Sequence, residues 1–145
     1  TKNSLLACLP YQPFMIKPNQ HELEELFGVK IETQEEMLNY AFQLREKGAR
    51  NVLISCGGEG AFLVSETGQV FTSNTPKGML INSVGAGDSM LAGFMAKFFE
   101  TNDYRMSLKQ GAASGSATAF SVGIATRELI EELIPQIEIT EISRQ

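Results

Sequence analysis

Asn82-Ser83-Val84-Gly85-Ala86-Gly87-Asp88-Ser89-Met90-Leu91-Ala92-Gly93 is the stretch on which the reading of this sequence turns. A brief apolar run, Met79-Leu80-Ile81, leads into a glycine-rich turn. The turn leads into a helical pattern with Leu91, Phe94, Met95 and Phe98 on one face. Gly85 and Gly87 let the backbone turn sharply and approach a ligand closely. The first amides of the following helix have no internal partner and lie at its positive end, which suits an anion. Asp88 belongs to the same turn. An Asp near a helix start commonly serves as a cap. Beside an anion-binding turn it also has the place of a base that orients and deprotonates an attacking hydroxyl. Phosphoryl transfer needs both parts, amides for the developing negative charge and a base for the nucleophile.

Upstream of this stretch, residues 13–17 (PFMIK) form a short apolar run ended by Pro18, which predicts a buried strand running into a loop. Helices are predicted over residues 21–27 and 33–47. In the second, Thr33 and Glu36 fit a capping box and Gly48 is a natural stop. Residues 51–56 hold a continuous apolar run, as in a strand covered on both faces. Residues 61–65 and 69–73 flank Glu66-Thr67-Gly68 and predict a β-hairpin. A loop through Pro76 and Gly78 leads to a brief strand at 79–81. Downstream, an Ala/Ser/Gly-rich helix is expected over 107–121, a last helix over 127–133 and a short apolar tail at 137–139. Strands and helices alternate, so the expected fold is an α/β layer with a mainly parallel sheet flanked by helices.

Two further clusters follow predicted strands. Ser55-Cys56-Gly57-Gly58-Glu59-Gly60 is either a tight turn or a contact for a nucleotide phosphate or ribose at the carboxyl end of a strand, where ligands of open α/β sheets gather. Lys17-Pro18-Asn19-Gln20-His21-Glu22 places Asn19 and Glu22 on one side of a helix start. These two are either a polar cap or oxygen ligands for a hydrated Mg²⁺. His21, the one histidine, has no second ligand near it in sequence and reads as a surface residue. The helix Gly-Ala-Ala-Ser-Gly-Ser-Ala-Thr-Ala-Phe, starting at Gly111, reads as a close-packing helix. Ser114 and Gly115 are the positions at which it could wall a flat adenine.

The chain has 145 residues, 43% of them hydrophobic and 20% charged, and a net charge of −5. That length suits one domain with a real core, or part of one. The acidic balance argues against a nucleic-acid coat protein, which shows a basic excess. No apolar run approaches the ~18–20 residues of a membrane helix. Cys8 and Cys56 lack metal or redox spacing and read as reduced thiols of a cytoplasmic protein. No secretory leader is visible. The chain opens on Thr1, and a piece of something longer is expected.

Taken together, these motifs resemble the carboxyl-terminal half of a PfkB/ribokinase-family sugar kinase. Gly85-Ala86-Gly87-Asp88 followed by Ala92-Gly93 is similar to the family's second signature. Asn19 with Glu22 resembles its N-x-x-E element, and Ser55, Gly57 and Gly60 its nucleotide loop. The resemblance spans nearly the whole chain, 1–145, and implies a ribokinase-like fold of which only the carboxyl-terminal part is present. It also implies roles. Asp88 would be the base, and the amides of Gly85, Ala86 and Gly87 the anion hole. Ser55, Gly57, Gly58, Glu59 and Gly60 would contact ATP, with Lys17 near its phosphates, and Asn19 and Glu22 would organise Mg²⁺. Asn82-Ser83 stands where many members carry Asp-Thr, a change associated with the phosphosugar branch. The implied acceptor is therefore a phosphorylated ketose, fructose 1-phosphate first and tagatose 6-phosphate next.

Two other readings compete. One is a nucleotide-binding or packing module without turnover of its own, because half the implied fold has no counterpart in the chain. The other is a dinucleotide-dependent oxidoreductase, disfavoured because GxGxxG is absent; a GxxxxGK[ST] loop is absent as well. The isolated piece is expected to be inactive. It is also expected to self-associate through an open sheet edge.

Overall fold

The computed structural model describes residues 2–81, 84–122 and 124–142, so Asn82 and Ser83 lie outside the described residues. The elements run α1 (Lys2–Cys8), β1 (Met15–Ile16), α2 (Gln20–Phe27), α3 (Gln34–Glu46), β2 (Asn51–Ser55), β3 (Ala61–Val64), β4 (Val70–Ser73), α4 (Ala86–Thr101), α5 (Tyr104–Ala119), α6 (Arg127–Leu133) and β5 (Ile139–Ile142).

Cap chemistry sets most helix starts. Asn19, Thr33, Asp103 and Thr126 each accept a backbone amide at the start of α2, α3, α5 and α6. Thr33 completes only half of the expected box. Its hydroxyl takes the Glu36 amide at 3.1 Å, while the Glu36 carboxylate reaches the Glu32 amide at 3.2 Å.

The sheet has five strands in the order β1-β2-β3-β4-β5. Its strands correct the expectation of a mainly parallel sheet: it is mixed and mostly antiparallel. β1 and β2 are parallel, with Met15 opposite Asn51 and Ile16 opposite Val52, joined by a crossover through α2 and α3. Only five residues separate β2 from β3, and five separate β3 from β4. Such short connections join antiparallel neighbours, because a parallel return needs a crossover of about a dozen residues or more. Two smaller expectations also fail. Residues 79–81 form no strand; the Ile81 amide bonds to the Ala119 carbonyl at 2.8 Å instead. The tail expected at 137–139 ends in a strand, β5.

The chain divides into two compact units: residues 1–56, 62–70 and 142–145, and residues 57–61 and 71–141. The first buries Ile16, Leu23, Met37, Ala41, Leu44, Val52, Ile54, Val64 and Val70 in one cluster. Asn51 is fully buried in it. Its Nδ2 donates to the Phe14 carbonyl at 2.7 Å and its Oδ1 accepts the Glu66 amide at 2.8 Å, which ties the approach to β1 to the hairpin turn. Above that turn the Arg50 guanidinium donates to both Glu66 oxygens, at 2.9 and 3.1 Å, and holds the carboxyl below its ordinary 4.5. In the second unit Ala112, Ala113 and Ala117 of α5 pack with Leu133 and Ile137. Phe94 of α4 and Leu108 of α5 are fully buried.

Candidate active site

The first unit brings two of the sequence clusters side by side. The backbone of Asn19 forms a parallel bridge with Ser55, and the Ser55 amide donates to the Pro18 carbonyl at 3.3 Å. Lys17, half-buried, precedes this contact. Asn19, Ser55 and Lys17 therefore gather where β1 and β2 end, the customary ligand side of an α/β sheet. Asn19 Oδ1 accepts the Glu22 amide at 2.7 Å, and Glu22 Oε1 accepts the Asn19 amide at 3.0 Å, a reciprocal capping box. Those two oxygens face the helix start, which leaves the second carboxylate oxygen of Glu22 for a ligand. Mg²⁺ keeps several waters and takes few protein oxygens. The pair thus fits magnesium through its water shell and not as two direct ligands. Among the described residues no group of three or more His, Cys, Asp or Glu side chains converges on a metal position. His21 is exposed and pairs with Glu25 at 3.2 Å.

The second unit holds the glycine turns. Gly57, Gly58 and Glu59 form an exposed single 3-10 turn. Gly60 closes it, donating its amide to the Gly57 carbonyl at 3.2 Å from a left-handed φ of 98°. A Cβ on Gly60 would overlap the Ser73 carbonyl, so both conformation and space require glycine there.

α4 opens differently from its neighbours. Its N-cap is Gly85, left-handed at φ 83°, and no side chain among the described residues caps it. Asp88, exposed in the first turn, is not the cap of this helix, so its carboxylate stands beside the helix start without that duty. The amides of Ala86, Gly87 and Asp88 sit at the positive end of a 16-residue helix. Behind this turn lies α5, on which Ser114 and Gly115 are buried. A Cβ on Gly115 would stand 3.1 Å from the Ala86 carbonyl oxygen, and one on Gly93 would overlap Ser114 Oγ. These small residues let α4 and α5 approach closely. Thr118 of α5 pairs its hydroxyl with Ser89, one residue past Asp88, at 2.7 Å. Neither Thr118 nor Thr75, whose hydroxyl donates to the Gly57 carbonyl at 3.1 Å, stands out in the sequence. Each lies outside the glycine motifs it supports, and only tertiary packing joins them.

The described residues thus include a helix N-terminus with a carboxylate in its first turn and a glycine turn after β2. A family model of pfkB family carbohydrate kinases matches residues 1–130, and the chain belongs to that family. It is 42% identical to the 1-phosphofructokinase of Bacillus subtilis over 139 residues, 96% of this chain and 46% of that protein. It is 37% identical to the D-tagatose-1-phosphate kinase of Bacillus licheniformis, over 95% of this chain and 45% of that one. A solved structure of a candidate phosphofructokinase from Staphylococcus aureus superposes with a TM-score of 0.91 at 34% identity, covering 97% of this chain and 45% of that one. The chain spans about half the length of the curated relatives it matches. Among the described residues no helix is long and apolar enough to cross a membrane.

Proposed function

We propose that this chain is the nucleotide-binding and catalytic-base portion, the carboxyl-terminal half, of an ATP-dependent ketose-phosphate kinase. Fructose 1-phosphate is the acceptor and fructose 1,6-bisphosphate the product. The observation that carries this reading is the start of α4, where a left-handed glycine N-cap, without a side-chain cap among the described residues, leads into a first turn bearing an exposed Asp88. In the reaction an acceptor hydroxyl oxygen attacks the γ-phosphorus of ATP in line. The bond from that phosphorus to the β–γ bridging oxygen breaks, ADP leaves, and the hydroxyl proton passes to Asp88. The amides of Gly85, Ala86 and Gly87 take up the charge that develops on the transferred oxygens. The family resemblance implies nucleotide contacts for Ser55 and for the turn at Gly57, Gly58, Glu59 and Gly60, and a place near the phosphates for Lys17. Ser114 and Gly115, buried against α4, serve the close approach of the two helices rather than an adenine wall. Mg²⁺, when bound, offsets phosphate charge, with Asn19 and Glu22 ordering its waters.

The name carried by the Bacillus subtilis relative supports fructose 1-phosphate as acceptor. A second acceptor is favoured by the Bacillus licheniformis relative, which is named for tagatose 1-phosphate rather than the 6-phosphate. The thiols of Cys8 and Cys56 suit a reducing, cytoplasmic compartment. The 145-residue chain by itself is expected to bind nucleotide without turnover.

Two measurements test this. MgATP titrated calorimetrically into the folded chain binds saturably, and Gly85→Ala, which strains a left-handed N-cap, weakens binding. A chimera in which this chain replaces the matching 139-residue segment of the Bacillus subtilis enzyme phosphorylates fructose 1-phosphate faster than tagatose 1-phosphate. A folded chimera with no kinase activity overturns the reading; a reversed preference moves the acceptor.

A further inference from the structure

Three consecutive residues at the end of β4 each hold something different, all within the second unit. The Ser73 carbonyl lies against Gly60 where a Cβ would sit. Asn74 Nδ2 donates to the Gln136 carbonyl at 3.0 Å, and its Oδ1 accepts the Glu138 amide at 2.7 Å. The Thr75 hydroxyl donates to the Gly57 carbonyl at 3.1 Å, the same oxygen that takes the Gly60 amide at 3.2 Å. The Gly57 carbonyl thus receives one donor from inside the turn and one from outside it. Gly57 and Gly58 have no side chain to fix the turn, and a Cβ at either would meet nothing within 4 Å. What shapes this exposed loop is therefore its rear attachment to residues 73–75. Those residues are in turn anchored through Asn74 to the segment just before β5.

We propose that Thr75, braced by Asn74, is a positioning residue that holds the turn at 57–60 in the shape that receives the nucleotide. That the turn meets nucleotide rests on the proposed function; the clamp itself does not. Thr75 touches no reacting atom and acts only through the Gly57 carbonyl. Loss of its hydroxyl frees the turn to sample other conformations, so that ATP must order it on binding.

The test compares wild type, Thr75→Val and Thr75→Ser in the 145-residue chain. Hydrogen exchange is followed at the Gly60 amide and at the Leu53 amide of β2, and MgATP affinity is measured by calorimetry. In Thr75→Val, Gly60 exchanges about fivefold faster, as expected for one lost hydrogen bond, while Leu53 is unchanged. MgATP affinity falls by a similar factor, on the order of fivefold. Thr75→Ser, which keeps the hydroxyl, restores both. Unaltered Gly60 exchange in Thr75→Val overturns the clamp. Faster exchange with unaltered MgATP affinity overturns its role toward nucleotide. Faster exchange in a chain whose wild type binds no MgATP upholds the clamp and overturns the proposed function instead.

Discussion

Gly58 and Gly60 stand two positions apart in one turn, yet the structure asks different things of them. Gly60 has a left-handed φ of 98° and no room for a Cβ, whereas a Cβ on Gly58 meets nothing within 4 Å. Gly60→Ala is expected to cost about 2–3 kcal/mol in urea unfolding, and Gly58→Ala less than about 1 kcal/mol. Equal effects would mean that the turn adapts freely. Asn19 and Glu22 divide in a similar way. Asn19→Ala removes the cap of α2 and is expected to cost about 1 kcal/mol. Glu22→Gln keeps an oxygen for the Asn19 amide, so stability is nearly unchanged, but the Mg²⁺ concentration needed for nucleotide binding rises. An unchanged Mg²⁺ titration would count against the metal role. The turn from Gly85 to Asp88 was legible as a helix start because glycines ran directly into an apolar helical period, and α4 begins at Ala86 with Gly85 as its N-cap. Thr75 and Thr118 were illegible because their partners lie 18 and 29 residues away.

Among elements, the β3–β4 hairpin carries a pH signature. Hydrogen bonding from Arg50 depresses the Glu66 pKa below its ordinary 4.5 in the folded state. A carboxylate with a depressed folded pKa contributes stability above its unfolded pKa and loses that contribution as pH falls through the folded one. Thermal stability is therefore expected to decline as pH drops below about 4.5. Glu66→Gln should show a smaller decline over that window; identical slopes would contradict the assignment. Both Arg50 and Glu66 are more than a third exposed, so the effect is small. Cap and period signals made α2, α3 and α6 readable, the last to the residue. The sheet departs from the expected parallel one for a physical reason. Val52, Leu53 and Ile54 are buried without alternation, which suits a parallel strand, but the five residues after β2 permit only a tight return. Residues 79–81 have strand composition and no ladder partner among the described residues, and α1 was not among the expected helices.

Taken as a whole, the molecule has two units, each with its own buried cluster, and many apolar side chains in the open. Tyr11, Met79, Val84, Phe99, Val122 and Ile124 are each more than three-quarters exposed. Apolar side chains so exposed favour association where they lie together. Sedimentation at rising concentration is expected to show reversible self-association, and a monomer throughout would contradict it. The most direct measurement is phosphoryl transfer to fructose 1-phosphate by the chimera carrying this chain, compared with its Asp88→Asn variant. Asp88→Asn is expected to abolish transfer while MgATP affinity stays nearly intact. Near-normal turnover by the variant would overturn the assignment, because Asp88 could not then be the base.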